Sequence, residues 1–133
     1  MTSPESIIKK QLDAYNAKNI DTWLATYAHD AKQYQFPDTL LTSGHAEIRA
    51  RTEPRFLEPN LHAKLISRTV IGNIVIDHEE VMRTFPEGAG VIELTCIYLV
   101  KNNKIQTASF SLTKNALNVE PINFKSASID LSG

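Results

Sequence analysis

The chain has a single cysteine among 133 residues, so an internal disulfide is excluded and Cys96 is read as a reduced thiol. It has no apolar run as long as a membrane span, and its start, MTSPESIIKKQL, has no extended apolar stretch of the kind a secretory leader carries. A cytoplasmic location without membrane association is therefore expected. An excess of either charge is also missing. Fourteen Lys and Arg against 15 Asp and Glu give a net charge of -1, which leaves no basic footprint for nucleic acid. Metal-ligand spacing is lacking too, because His29, His45 and His62 stand far apart and HAEIR is not the HExxH pattern. No metal and no cofactor is expected. Glycine is scarce, and its one cluster, in RTFPEGAGVIEL, precedes a strand-like run rather than a helix. That excludes a phosphate-cradling loop and leaves a hairpin turn.

A chain of this length with 42% hydrophobic and 22% charged residues fits one globular domain with a core of its own. Ser3-Pro4-Glu5 is a helix start: serine caps free amides, proline suits the first helical position, and glutamate suits the positive end. Ile8, Leu12 and Tyr15 follow at helical spacing. "NID" then opens a short second helix, with Asp21 as its cap and Trp23, Leu24 and Tyr27 pointing inward. "KQYQF" reads as a short strand ended by Pro37, and alternation lets either Gln33 and Gln35 or Tyr34 and Phe36 face inward. A third helix is expected from Ser43-Gly44 to about Phe56, disturbed by Pro54.

From His62 onward the pattern changes to strands: about 62–70, 73–85, 91–101 and 105–112, rich in Ile, Val, Leu and Thr and separated by turn signals. Helices first and strands afterwards predict an α+β fold, a curved and mostly antiparallel sheet with the N-terminal helices packed over one face. A core of about 5–113 is expected, with residues 114–133 as an arm.

Closing the hairpin over a five-residue Pro86–Gly90 loop predicts Arg83 opposite Glu93, Glu80 opposite Cys96 and His78 opposite Tyr98. Period-two alternation then gathers His78 and Glu80 with Met82, Ile92, Leu94, Cys96 and Tyr98 on one face. Ala108, Phe110 and Leu112 join them from the last strand. An apolar concavity with a few polar groups is the pattern of a small-molecule site, whereas a solvated "DHEE" edge is the plainer alternative. Cys96 reads most simply as a small core residue, and Tyr15 and Trp23 as aromatics beneath the sheet, with Tyr15 able to offer its hydroxyl to a pocket.

The order helix, helix, strand, helix after a glycine, then four-stranded meander resembles the nuclear transport factor 2-like superfamily, in particular its SnoaL-like and ketosteroid-isomerase-like members. The segments that carry the likeness are AKNIDTWLATYAHDAKQYQFPD, SGHAEIRA, and VMRTFPEG followed by IYLVKNNKI. The resemblance implies a cone-shaped sheet around a pocket capped by the helices. It also implies a homodimer through the outer sheet face, where Val81, Thr95, Ile97 and Leu99 are expected. The ketosteroid isomerases' carboxylate before the first-strand proline corresponds to Phe36, their tyrosine to Gln11, and their second acid to Thr95 or Cys96. Those three roles are empty here. IDHEEVMRTFPEG resembles the limonene-epoxide-hydrolase branch without a gap. Its arginine and first aspartate fall at His78 and Glu80, its second aspartate at Phe110, and its water-holding pair at Gln33 and Gln35.

The expected function is a pocket for a small, largely apolar organic ligand, with His78 and Glu80 as an acid-base pair for isomerisation, hydrolysis or hydration. Tyr15, Trp23, Phe36, Met82, Ile92, Leu94, Cys96, Tyr98, Phe110 and Leu112 are the expected lining. The alternative is a non-catalytic dimeric module that holds a ligand or a protein partner. A cone plugged by Phe36, Phe110 and Tyr98 is a third reading.

Overall fold

The structure is a computed structural model that describes residues 2–115, with side chains to Leu112. Most of the arm expected beyond residue 114 lies outside the described residues. Helix α1 (Pro4–Asn16) starts as expected: the Ser3 hydroxyl accepts from the Ser6 amide, and Ser6 reciprocates at the Ser3 amide. The short α2 (Ile20–Ala25) is capped by Asn19, whose side chain accepts from the Thr22 amide, and not by Asp21, which sits in its first turn. Tyr27 does not extend this helix but opens strand β1 (Tyr27–Gln35), which pairs with a strand not foreseen, β2 (Thr39–Ser43).

Helix α3 (His45–Thr52) is shorter than expected. Pro54 separates it from a single 3-10 turn, Arg55–Leu57, because proline offers no amide to the ladder. Four long strands complete the chain: β3 (His62–Ile71), β4 (Ile74–Phe85), β5 (Gly88–Lys101) and β6 (Lys104–Asn115). They form one curved, unclosed six-stranded sheet in the order β2-β1-β6-β5-β4-β3. Every neighbouring pair is antiparallel except β1 and β6. The two-residue turn between β5 and β6 places Asn102 and Asn103 at φ 51° and 62°, left-handed values that asparagine tolerates better than most residues.

The helices cover the concave side. Ile8, Tyr15, Trp23, Leu24, Ile48 and Phe56 are buried against the inward residues of the sheet. Asn16 ties the end of α1 to β3 by donating to the Ala63 carbonyl and accepting from its amide, at 2.9 and 2.8 Å.

The β4-β5 hairpin corrects the sequence reading. Its loop is two residues, Pro86 and Glu87, and Phe85 pairs with Gly88. Gly88 sits at φ 128°, a backbone state that side-chain-bearing residues rarely adopt, which lets the strand begin there at once. The register places His78 opposite Thr95, Glu79 opposite Leu94, Glu80 opposite Glu93 and Arg83 opposite Gly90. Relative to the expected pairing this is an odd shift, and an odd shift moves every β4 side chain to the other face. Val75, Asp77, Glu79, Val81, Arg83 and Phe85 are therefore the buried residues of β4.

Candidate functional site

Asp77 and Glu79 lie two residues apart on β4, on the face the helices cover, and are 0% and 2% exposed. Each has a different neighbour. Arg68, opposite Asp77 on β3, binds both of its carboxylate oxygens, at 2.7 and 2.9 Å. Glu79 forms no such ion pair among the described residues. Its carboxyl lies against the Cys96 thiol, its Oε2 has no hydrogen-bond partner among the described residues, and its pKa is pushed up to about 8. Burial is the main cause. Asp77 adds to the rise, while Arg68 and Cys96 oppose it. Both protonation states of Glu79 are thus accessible near neutrality, which a general acid or base requires.

Three buried tyrosines share this interior and feel the Glu79 charge. Tyr98 on β5 is 1% exposed and meets Cys96, while Tyr27 and Tyr15 reach the interior from β1 and α1. Burial raises all three phenols well above their ordinary value, so they stay neutral hydrogen-bond donors. The Arg55 and Arg83 charges oppose that rise at Tyr15. Arg83 is itself held by a buried fork to Glu58, with Nη2 to Oε2 at 2.7 Å, and Glu58 also accepts from the Thr84 amide. Aromatic rings line the remainder: Trp23 and Tyr27 have centroids 4.9 Å apart, Tyr15 and Phe56 5.3 Å, and Tyr98 and Phe110 6.5 Å.

Buried polar atoms without partners are concentrated in this interior. Gln11 Oε1, Trp23 Nε1, Gln33 Nε2, Thr52 Oγ1 and the hydroxyls of Tyr15 and Tyr27 join Glu79 Oε2 in finding none among the described residues. The Gln33 amide lies near the Tyr27 hydroxyl without a well-formed bond to it. A sealed core of this size pairs nearly all such atoms, since each one left unpaired costs about 1–3 kcal/mol.

The residues named from sequence divide between the two faces. Tyr15, Trp23, Ile92, Leu94, Cys96, Tyr98 and Phe110 are buried on the concave side, and Leu112 is half-buried. Of the two facings open for β1, Gln33 is fully buried whereas Gln35 and Phe36 are exposed. Phe36, at 51% exposure, is therefore not positioned to plug or line the cone. His78, Glu80 and Met82 are on the convex face, because the hairpin turn is shorter than expected. His78 Nε2 faces Glu93 Oε1 at 3.5 Å, not Glu80. Glu80 and Met82 line a shallow cleft of about 120 Å³ with His62, Lys64 and Val91. Val81, expected outside, is 1% exposed and points inward. A surface groove of about 380 Å³ along α1 is flanked by Lys9, Lys10 and Asp13, away from the carboxyl cluster.

Glu79, Asp77 and Arg68 are what the sequence reading missed, whereas Gln33 belonged to one of the two facings it left open. In IDHEE both alternating sets contain acids, so polarity does not choose between faces. The available signal was the turn: Pro-Glu followed by glycine also fits a two-residue hairpin.

Residues 8–107 match the family described as a SnoaL-like domain. No curated protein matches the chain. Among solved structures, an uncharacterized cystatin-fold protein from Novosphingobium aromaticivorans is 21% identical with a TM-score of 0.75, covering 83% of this chain and 98% of that one. An LEH-like epoxide hydrolase from M. tuberculosis is 11% identical with a TM-score of 0.72, covering 83% and 82%. A hypothetical protein with a ketosteroid-isomerase-like fold from Catenulispora acidiphila, in complex with trimethylamine, is 15% identical with a TM-score of 0.68, covering 87% and 91%. At these identities the structural likeness establishes the fold, and the family match extends over three quarters of the sequence. The chain belongs to the SnoaL-like domain family and has its nuclear transport factor 2-like cone.

Proposed function

We propose that the concave interior is a small-molecule site in which Glu79 moves a proton, in an isomerisation or in a hydrolysis or hydration. The observation that carries this reading is the Glu79 carboxyl itself: buried, with one oxygen unpaired among the described residues, and with its pKa pushed up to about 8 by that burial. In an isomerisation the ionised carboxylate removes a proton from the carbon beside a carbonyl. The electron pair moves onto the carbonyl oxygen, a tyrosine hydroxyl stabilises the enolate, and, where the substrate has a double bond conjugated with that enolate, protonated Glu79 returns the proton to the far carbon of the double bond as the carbonyl re-forms. Asp77, held by Arg68, supplies a fixed negative charge that keeps Glu79 basic.

Deuterium incorporation beside the carbonyl of enolisable ketones, followed by NMR in deuterium oxide and run beside epoxide opening, tests the proposal. Glu79→Gln is expected to reduce turnover by at least about 10²-fold while the protein stays folded. Equal turnover by the variant would remove Glu79 from the reaction. Wild-type rates no faster than buffer throughout the panel would instead favour the non-catalytic, ligand-holding alternative.

The homodimer belongs to the same proposal. Ile74 and Leu99, and Ile76 and Ile97, are direct cross-strand partners on the convex face, and Ile71 beside them is 63% exposed. A continuous apolar strip of this kind favours a second copy of the chain over solvent. Ile97→Glu is expected to convert a dimer to a monomer in light scattering, and a wild-type monomer at high concentration would refute the surface.

A further inference from the structure

We infer that Cys96 is a positioning residue for Glu79. Its thiol donates to the Glu79 carboxyl and is itself held by the Tyr98 hydroxyl, one hydrogen-bonded line that orients the proton carrier. This rests on the reading of Glu79 as the residue that moves a proton, and it adds the group that orients it. The strand register makes the line. Cys96 lies directly opposite Asp77, and Glu79 is the diagonal neighbour two residues along β4, within side-chain reach on the same face. Both Asp77 oxygens are already held by the Arg68 guanidinium, whereas Glu79 has no such pair among the described residues, so the thiol proton goes to Glu79. Opposite Tyr98 stands Val75, which has no polar side chain, and the Tyr98 hydroxyl turns along its own strand to the Cys96 sulfur. Cys96, Tyr98 and Glu79 are 0%, 1% and 2% exposed, so bulk water has little access to the line.

Burial holds both the thiol and the phenol protonated, so each keeps the hydrogen it donates, and Cys96 is a donor rather than a nucleophile. A thiol is a weak donor, and the weakness has a use. A hydroxyl in its place would stabilise the carboxylate more strongly and make Glu79 a poorer base. A methyl group would leave that charge without a donor from β5. Cys96 lies between these limits: it orients the carboxyl, yet it opposes the rise that burial imposes on Glu79 less than Arg68 does.

Cys96 is the chain's single cysteine, so the protein has one S–H stretching band, in an infrared window free of other protein bands. In the wild-type protein this band is expected to move to lower frequency and strengthen as pH rises through about 8, because the hydrogen bond becomes charge-assisted when Glu79 ionises. Glu79→Gln is expected to hold it still. A wild-type band indifferent to pH, or one that titrates equally in Glu79→Gln, would overturn the inference. Two further variants separate orientation from packing, with the Glu79 titration read by NMR of its carboxyl carbon. Cys96→Ser is expected to lower the midpoint and Cys96→Ala to raise it, by up to about one pH unit each. Both put a smaller group in place of the thiol, so shifts in the same direction would assign Cys96 to packing alone. The proton-transfer reading fails separately. A band that follows Glu79 in a protein without turnover refutes catalysis and leaves this inference standing, whereas turnover lost in Glu79→Gln with an unmoved band does the opposite.

Discussion

Replacing Glu79 with glutamine is expected to abolish most of a fall in stability that the wild-type protein shows between about pH 5 and about pH 8. The ordinary glutamate pKa is 4.5, and in the folded protein burial moves that of Glu79 to about 8. Between those values the folded state holds a proton that the unfolded chain has released. Raising the pH therefore favours unfolding, with the contribution fully present below the unfolded value and lost as pH rises through the folded one. Each pH unit in that window is worth about 1.4 kcal/mol, so the whole effect is roughly 4–5 kcal/mol at most. Such a loss is a large part of a typical domain's stability. Glutamine has nothing to ionise, so urea unfolding at the two ends of the window should show a much flatter profile for the variant. Identical slopes for the two proteins would mean that Glu79 is hydrated in the folded state, and the acid-base proposal would lose its basis.

Arg68→Leu is expected to destabilise the protein by about 3–5 kcal/mol, because it leaves the Asp77 carboxylate buried without its counter-ion. The magnitude follows from geometry. Asp77 is fully buried, the Arg68 side chain is 10% exposed, and two short hydrogen bonds join them. Replacing both partners, as Arg68→Leu with Asp77→Leu, is expected to restore stability to within about 1–2 kcal/mol of wild type, since the lone charge is then gone. The same pair also tunes Glu79. Arg68 lowers the Glu79 pKa and Asp77 raises it, so Arg68→Leu alone should move the Glu79 titration upward, and Asp77→Leu alone should move it downward. A double variant no more stable than Arg68→Leu would show that the loss comes from packing and not from an unpaired charge.

Much of this fold is legible locally. The Ser3-Pro4 start, the four strand runs and the asparagine turn at 102–103 depend on residues within a few positions of one another, and each recurs in the structure close to its expected bounds. Strand β2 was not legible, because TLLTS is short and its pairing with β1 depends on a partner already in place. The length of the β4-β5 loop was not legible either, since PEGAG supports a five-residue loop and a two-residue turn alike.

The sequence by itself determined the class of the fold, the order of its helices and of every strand but β2, and the set of side chains able to do acid-base work. Propensity, capping and periodicity act over short distances, and they suffice for that much. Only the tertiary structure decided which alternate residues of IDHEE turn inward, because the choice depends on strand register, and a shift by an odd number of residues exchanges the two faces. It also decided the chemistry of the chosen residues. Glu79 and Glu80 are the same amino acid one position apart, yet Glu79 is shut into a low-dielectric interior that retains its proton, while Glu80 lies beside Lys64 at an open cleft. Burial and charged neighbours, which residues distant in sequence supply, make that difference.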